Sequence, residues 1–287
     1  MPTIAEAIAA AAERLAAQGI TEARFDAEVL LGHVLAKDRA WLVAHYPDRF
    51  DDDSHLTYEE VIDRRAKREP LQYIIGTQEF WGIPLAVTRD VLIPRPETEL
   101  VVEEALKRTA EIPAPLIVDL CTGSGCIAVS LAKEVPKARI FATDRSAAAL
   151  AIARANARRN GAADRIRFIE GDLFGPLAEL DLSERIDIVT ANPPYVRDGE
   201  RPGLQPEVRD FEPELALFAG PKGTEIAERI INDAPRYLRT GASLVMEMGI
   251  GQAKALRKII EESGNYRAAA VLKDLAGIER VIVAKKR

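Results

Sequence analysis

The sequence has 287 residues, a formal net charge of −6 at pH 7, 47% hydrophobic residues and 29% charged residues. That is a globular balance with enough apolar content for a sizeable core in one large domain or two ordinary ones. No apolar run approaches the roughly 20 residues of a membrane helix, and the only two cysteines, Cys121 and Cys126, are too close together for a disulfide framework.

The charge is uneven. Residues 1–80 hold 9 Lys+Arg against 15 Asp+Glu, whereas the remainder is balanced. Neither part has the positive excess of a nucleic-acid binder. The first twenty residues include Glu6, Glu13 and Arg14, so they lack the basic start and unbroken apolar core of a secretory signal. The expected location is a reducing cytoplasm.

Residues 1–76 read as a small helical bundle. Thr3-Ile4-Ala5-Glu6 fits a capping box, and Ile4, Ile8, Ala11, Ala12 and Leu15 follow at helical spacing before a stop at Gly19. A second helix carries Phe25, Leu30, Leu31 and Val34. A third, shorter one carries Trp41, Leu42 and His45. Thr57 with Glu60 predicts the start of a fourth, which Pro70 must follow. Residues 77–95, with Phe80-Trp81-Gly82-Ile83-Pro84, read as an extended or hairpin linker.

Residues 96–287 have another texture. Pro96-Glu97-Thr98-Glu99 opens a helix through Leu106. Candidate strands then fall at 116–120, 139–143, 165–169, 186–191, 243–248, 266–272 and 280–284, with helical stretches between the first few. This alternation predicts an α/β domain with a doubly wound, seven-stranded, Rossmann-like sheet.

After the first of these strands comes Cys121-Thr122-Gly123-Ser124-Gly125, and then a helix. Glycines at such a turn let a ligand approach the backbone. Asp144 ends the next strand, where a carboxylate can accept both hydroxyls of a ribose. A nucleoside-bearing cofactor is expected. Because Gly123-x-Gly125-x-x-Ala128 also meets a dinucleotide fingerprint, the loop alone leaves NAD and S-adenosylmethionine both open.

Asn192-Pro193-Pro194-Tyr195 separates them. It follows the strand 186–191, at the edge where ligands of open parallel sheets collect. A planar amide or amine nitrogen is a poor nucleophile and must meet a methyl donor in line. The Asn192 side-chain oxygen and the Pro193 carbonyl can accept its two N–H groups and favour the charge that develops there. The prolines stiffen the turn, and the Tyr195 ring can cover the flat face of the target. Hydride transfer has no use for this acceptor pair. A methyltransferase using S-adenosylmethionine and releasing S-adenosylhomocysteine is the expected class.

These residues resemble the PrmC/HemK family of protein-(glutamine) methyltransferases along essentially the whole chain. The resemblance also rests on Glu69 to Gly76, Ile93-Pro94-Arg95-Pro96-Glu97-Thr98-Glu99 and Glu212 to Leu217. It implies methylation of the glutamine amide in the Gly-Gly-Gln motif of peptide chain release factors. It implies cofactor contacts from Cys121, Thr122, Gly123, Ser124 and Gly125, ribose binding by Asp144, and an adenine border at Asp172 and Leu173. Asn192 would lie between cofactor and target, and Asn192 to Tyr195 would hold the glutamine. Arg95 and Glu97 would help wall the entrance, and the helical domain would recognise the release factor. The chain departs from the family at Cys121, where glycine is usual.

His33, His45 and His55 lack zinc-site spacing, so no metal is expected. The arginines from Arg154 to Arg167 read as a solvated face. Glu247 ends a strand on the cofactor edge and is a candidate substrate contact. The competing functions are methylation of adenine or guanine amines in DNA or RNA, and cofactor binding without turnover. The charge distribution disfavours the former, and the intact Asn192–Tyr195 segment disfavours the latter.

Overall fold

The computed structural model describes all 287 residues. They form two compact units, residues 1–77 with 205–211, and residues 78–204 with 212–287. No helix is long and apolar enough to cross a membrane.

The first unit contains α1 (Ile4–Ala17), α2 (Ala23–Leu35), α3 (Arg39–Ala44), α4 (Asp52–Ala66), α5 (Leu71–Ile75) and, from later in the chain, α9 (Pro206–Phe211). Helix α1 starts as its sequence predicts: the Glu6 carboxylate accepts the Thr3 N–H at 2.8 Å, and the Thr3 hydroxyl accepts the Glu6 N–H. Ile4, Ile8, Leu15, Leu30, Leu31, Leu42 and Ile62 are buried in one cluster. Tyr58 joins them because its hydroxyl can donate to the Ala27 carbonyl at 3.0 Å.

Helix α4 starts earlier than Thr57 and Glu60 predict. Asp51 is its N-cap and accepts the Ser54 N–H at 2.8 Å, while Thr57 lies inside the helix and donates to the Asp53 carbonyl. The acidic run Asp51-Asp52-Asp53 supplies both a cap and favourable charge for the helix amino end.

The second unit opens on the hairpin of β1 (Thr77–Phe80) and β2 (Ile83–Ala86). Trp81 and Gly82 both have positive φ, the backbone of a tight two-residue hairpin turn. A short 3-10 turn at Pro96–Thr98 leads into α6 (Glu99–Thr109). Then follow β3 (Leu116–Leu120), α7 (Cys126–Glu134), β4 (Arg139–Asp144), α8 (Ala147–Arg159), β5 (Ile166–Glu170) and β6 (Ile186–Ala191). A two-stranded pair, β7 (Val196–Arg197) and β8 (Phe218–Gly220), brackets α10 (Glu214–Leu217). The chain finishes with α11 (Glu225–Asp233), β9 (Leu238–Glu247), α12 (Ala253–Ser263), β10 (Ala270–Lys273) and β11 (Glu279–Lys285).

The main sheet has seven strands in the order β10-β11-β9-β6-β3-β4-β5. The last five in that order, from β9 to β5, are mutually parallel, and β11 is antiparallel to β9 and to β10. Side chains alternate between the two faces. Val118, Val189, Leu244 and Ile282 face a core shared with α11 and α12, whereas Ile117, Ile188, Val245 and Val281 face one shared with α6 and α7. Both faces are therefore covered, which is why the strands read as continuous apolar runs. Strand β9 begins well before the expected Ser243. In contrast, β10 begins only at Ala270 rather than at the expected Tyr266, which forms an isolated bridge with its ring buried and its hydroxyl donating to the Ile231 carbonyl at 2.8 Å.

Within the first unit, Arg65 of α4 is an ionic hub. It donates to Asp26 at 2.7 Å and to Glu207 of α9 at 3.0 Å, and Arg68 reaches the other Glu207 oxygen at 2.7 Å. Arg65 and Asp26 are buried, and burial raises the Asp26 carboxyl despite the pairing. Arg65→Ala strands a buried carboxylate and is expected to cost about 3–5 kcal/mol. A lowered denaturant midpoint tests this; an unchanged midpoint would show that the hub is dispensable.

Candidate active site

The sheet order reverses between β3 and β6. From β3 the chain steps outward to β4 and β5, then returns to build β6 and β9 on the other side. The carboxyl ends of β3 and β6 thus diverge into a crevice, the usual ligand position in such sheets. A cavity of about 250 Å³ lies there, with Gly123, Asp144, Leu173, Asn192, Pro194 and Thr98 in its wall.

The glycine loop forms one side. Gly123 has φ +53, and a Cβ built on it would meet nothing within 4 Å, so its backbone is open to a ligand. Gly125 does a different job. It does not line the cavity; a Cβ there would come within 3.1 Å of the Ala153 Cβ, so glycine allows α7 to start close against α8. Asn156 of α8 holds the loop from behind, donating to the Ser124 carbonyl at 2.9 Å.

Asp144 accepts the Gly123 N–H on one oxygen and the Ser146 N–H on the other, each at 2.9 Å. A carboxylate offers about four lone-pair sites, so each oxygen can still accept a hydroxyl. Burial raises its carboxyl above the ordinary range.

Cys121 has φ +55, a left-handed conformation that favours glycine. This is a physical reason for glycine at that position, and the cysteine carries the strain. Burial also drives its thiol far upward, leaving it protonated and a poor nucleophile.

Asp119, fully buried in β3, was not singled out by sequence as a site residue. It accepts from Thr122 of the glycine loop at 2.6 Å and from Thr190 of β6 at 2.8 Å. Burial pushes its carboxyl up to about 7, against the pull of these two hydroxyls. An acid inside an apolar strand run was the available signal.

Asn192 and Pro194 line the cavity; of their neighbours, Pro193 is buried and Tyr195 is half-buried beside them. The Asn192 Nδ2 donates to Thr98 Oγ1 at 3.1 Å, and Thr98 Oγ1 donates to Glu247 Oε2 at 2.6 Å. The Tyr195 hydroxyl donates to Glu247 Oε1 at 3.3 Å, and the Tyr195 carbonyl accepts from Gln252 at 2.9 Å. Burial pushes Glu247 up to about 7. Glu247 is therefore held by site side chains beneath the cavity wall.

The other expected residues divide. Cys121, Thr122, Ser124, Asp172 and Leu173 line the cavity. The Asp172 carboxylate is paired with Arg229 at 2.6 Å. Arg95 and Glu97 do not line it: Arg95 donates to buried Glu212 at 2.6 Å, and Glu97 lies 3.6 Å from Arg280. Sequence reasoning also passed over Arg89 to Leu92, which line the cavity from the segment after the hairpin.

Comparison with known proteins agrees with this architecture. Residues 6–76 match the PrmC N-terminal domain, and residues 98–204 match the methyltransferase small domain. The release factor glutamine methyltransferase of Geobacter sulfurreducens is 41% identical over 93% of this chain and 91% of its own length. That of Cereibacter sphaeroides is 42% identical over 98% of both. Among solved structures, the hMettl16 catalytic domain in complex with MAT2A 3′UTR hairpin 6 has a TM-score of 0.58 at 16% identity, covering 86% of this chain and 92% of that one. This last likeness is one of fold alone.

The buried acids have a consequence for stability. Asp119 and Glu247 hold their protons to about pH 7 in the folded chain but to an ordinary carboxylate value when unfolded. Their contribution to stability is full below about pH 4 and is lost as the pH rises through about 7. Glu247→Gln has no such titration at that position. Its melting temperature relative to wild type is expected to rise between about pH 5 and 7.5. A pH-independent difference would contradict the raised Glu247 carboxyl.

Proposed function

The chain belongs to the release factor glutamine methyltransferase family, and we propose that it methylates the glutamine side-chain amide of the Gly-Gly-Gln motif in peptide chain release factors, using S-adenosylmethionine. The observation that carries this reading is the position of Asn192 and Pro194 in the wall of the cavity that also contains Gly123 and Asp144. The acceptor for a planar nitrogen and the cradle for a nucleoside thus share one crevice.

The residues present fit that cofactor. Gly123 leaves its backbone open, and Asp144 keeps lone pairs for two ribose hydroxyls. The backbone from Cys121 to Gly125 would border its amino-acid portion, with Gly125 acting through helix packing. Leu173, with Asp172 beside it, would border the adenine. When bound, S-adenosylmethionine supplies an electrophilic methyl group on a sulfonium.

The chain's own groups then position the target. Asn192 Oδ1 accepts one amide N–H and the Pro193 carbonyl accepts the other, fixing the nitrogen and favouring its developing positive charge. The Tyr195 ring, held through its hydroxyl by Glu247, covers the flat face of the amide. No strong base is required, because the nitrogen becomes acidic on methylation and loses its proton afterwards. Arg95 and Glu97 stabilise the outer part of the site through Glu212 and Arg280. We assign release-factor recognition to residues 1–76 and methyl transfer to 96–287, with the hairpin-bearing stretch 77–95 between them.

The test is transfer of radiolabelled methyl from S-adenosylmethionine to a purified release factor. Label is expected on the wild-type factor and not on one with Gln→Ala in Gly-Gly-Gln; label that survives that change rules the reading out. Asn192→Ala should lower turnover by about 10²–10³-fold, with a much smaller effect on cofactor affinity. An equal collapse of cofactor binding would assign Asn192 to the cofactor instead.

A further inference from the structure

An amide can present either its oxygen or its NH₂ to a neighbour, and the two ends have nearly the same shape. Only the oxygen of Asn192 can accept a target N–H. The surroundings must therefore choose the orientation.

The choice is visible in the buried chain behind Asn192. Its Nδ2 faces Thr98 Oγ1 at 3.1 Å, and that oxygen faces Glu247 Oε2 at 2.6 Å. A hydroxyl has one proton. With that proton donated to the Glu247 carboxylate, Thr98 shows Asn192 only lone pairs. The NH₂ of Asn192 must then face Thr98, and its oxygen turns to the cavity. We propose that Thr98 is the positioning residue that aims the Asn192 carbonyl at the target nitrogen, with Glu247 fixing the direction in which the Thr98 hydroxyl donates. This rests on the methyl-transfer reading given above.

The same chain has a second polarity. A proton on Glu247 Oε2 would be donated to Thr98, freeing the Thr98 hydroxyl to donate to Asn192. The amide then reverses and offers NH₂ to the target, which cannot accept it. Glu247 is thus a polarity switch set by its protonation.

The groups facing Glu247 are few. Tyr195 donates to it, Glu97 opposes its ionisation, and Arg280 of β11 favours it. The Cys126 thiol of α7, pushed up to about 12 by burial, stays neutral. Burial dominates and raises Glu247 to about 7, so the switch falls in a measurable range.

The experiment measures kcat for methyl transfer to a purified release factor, cofactor affinity, and the pH profile. Thr98→Val keeps the shape but removes the hydroxyl. It should lower kcat by about 10²-fold, the effect of a misdirected catalytic group, with cofactor affinity preserved. Thr98→Ser, which retains the hydroxyl, should restore most of the rate. Wild-type kcat should rise with pH through about 7, and Glu247→Gln should flatten that rise, leaving at most the part set by Asp119, whose carboxyl is raised to the same range. Wild-type rate in Thr98→Val, equal losses in Thr98→Val and Thr98→Ser, or an unchanged pH profile in Glu247→Gln would each overturn the proposal. A wild-type chain that transfers no methyl would remove the underlying reading and the proposal with it; an active wild type with an unaffected Thr98→Val would remove the proposal alone.

Discussion

The active site depends on one buried carboxyl. Asp119 adds a side-chain cross-link between two segments that emerge from neighbouring strands: the glycine loop, through Thr122, and β6, through Thr190. Thr190 is two residues before Asn192. The bridge therefore ties the loop proposed to cradle the cofactor to the strand that carries the proposed target acceptor. Methyl transfer demands in-line approach at near-attack distance, and such tolerance requires both halves to be held together. Burying an acid is costly, and the raised Asp119 carboxyl records that cost. Its hydroxyl partners offset part of it while rigidifying the crevice.

Glu247 repeats the device at the end of β9. It gathers Thr98 from the Pro96–Thr98 turn and Tyr195 from the segment after β6. Asn192 is thus braced on both sides. Asp119 supports the strand leading to it, and Thr98 with Glu247 supports its amide. This pair of buried acids connects the topology to the chemistry. The reversal of strand order opens the crevice, and the acids fix the groups that face into it.

Much of this was legible in sequence, for identifiable reasons. The strands of the parallel part are buried on both faces, so they are nearly continuous apolar runs. Asp144 and Asn192 end such runs, at the edge where ligands collect. What failed was pattern without context. Thr57 and Glu60 look like a helix start, but the acids at Asp51 to Asp53 cap the helix first. Gly125 fits a ligand-loop fingerprint, yet its Cβ is excluded by Ala153 rather than by a ligand. Thr98 stood inside the Ile93–Glu99 stretch that carries the resemblance, but nothing local gave it a role, because its partners Asn192 and Glu247 are 94 and 149 positions away. Cys121 was legible as a departure from glycine, but only its positive φ explains why glycine suits the site.

The central claim is that the Asn192 oxygen grips the nitrogen to be methylated. The most direct measurement is a crystal structure of the chain with S-adenosylhomocysteine and a Gly-Gly-Gln peptide. The account predicts the glutamine nitrogen within about 3.2 Å of Asn192 Oδ1, with Asn192 Nδ2 still on Thr98. A glutamine nitrogen held by other residues, or Asn192 turned with its NH₂ toward the glutamine, would contradict it.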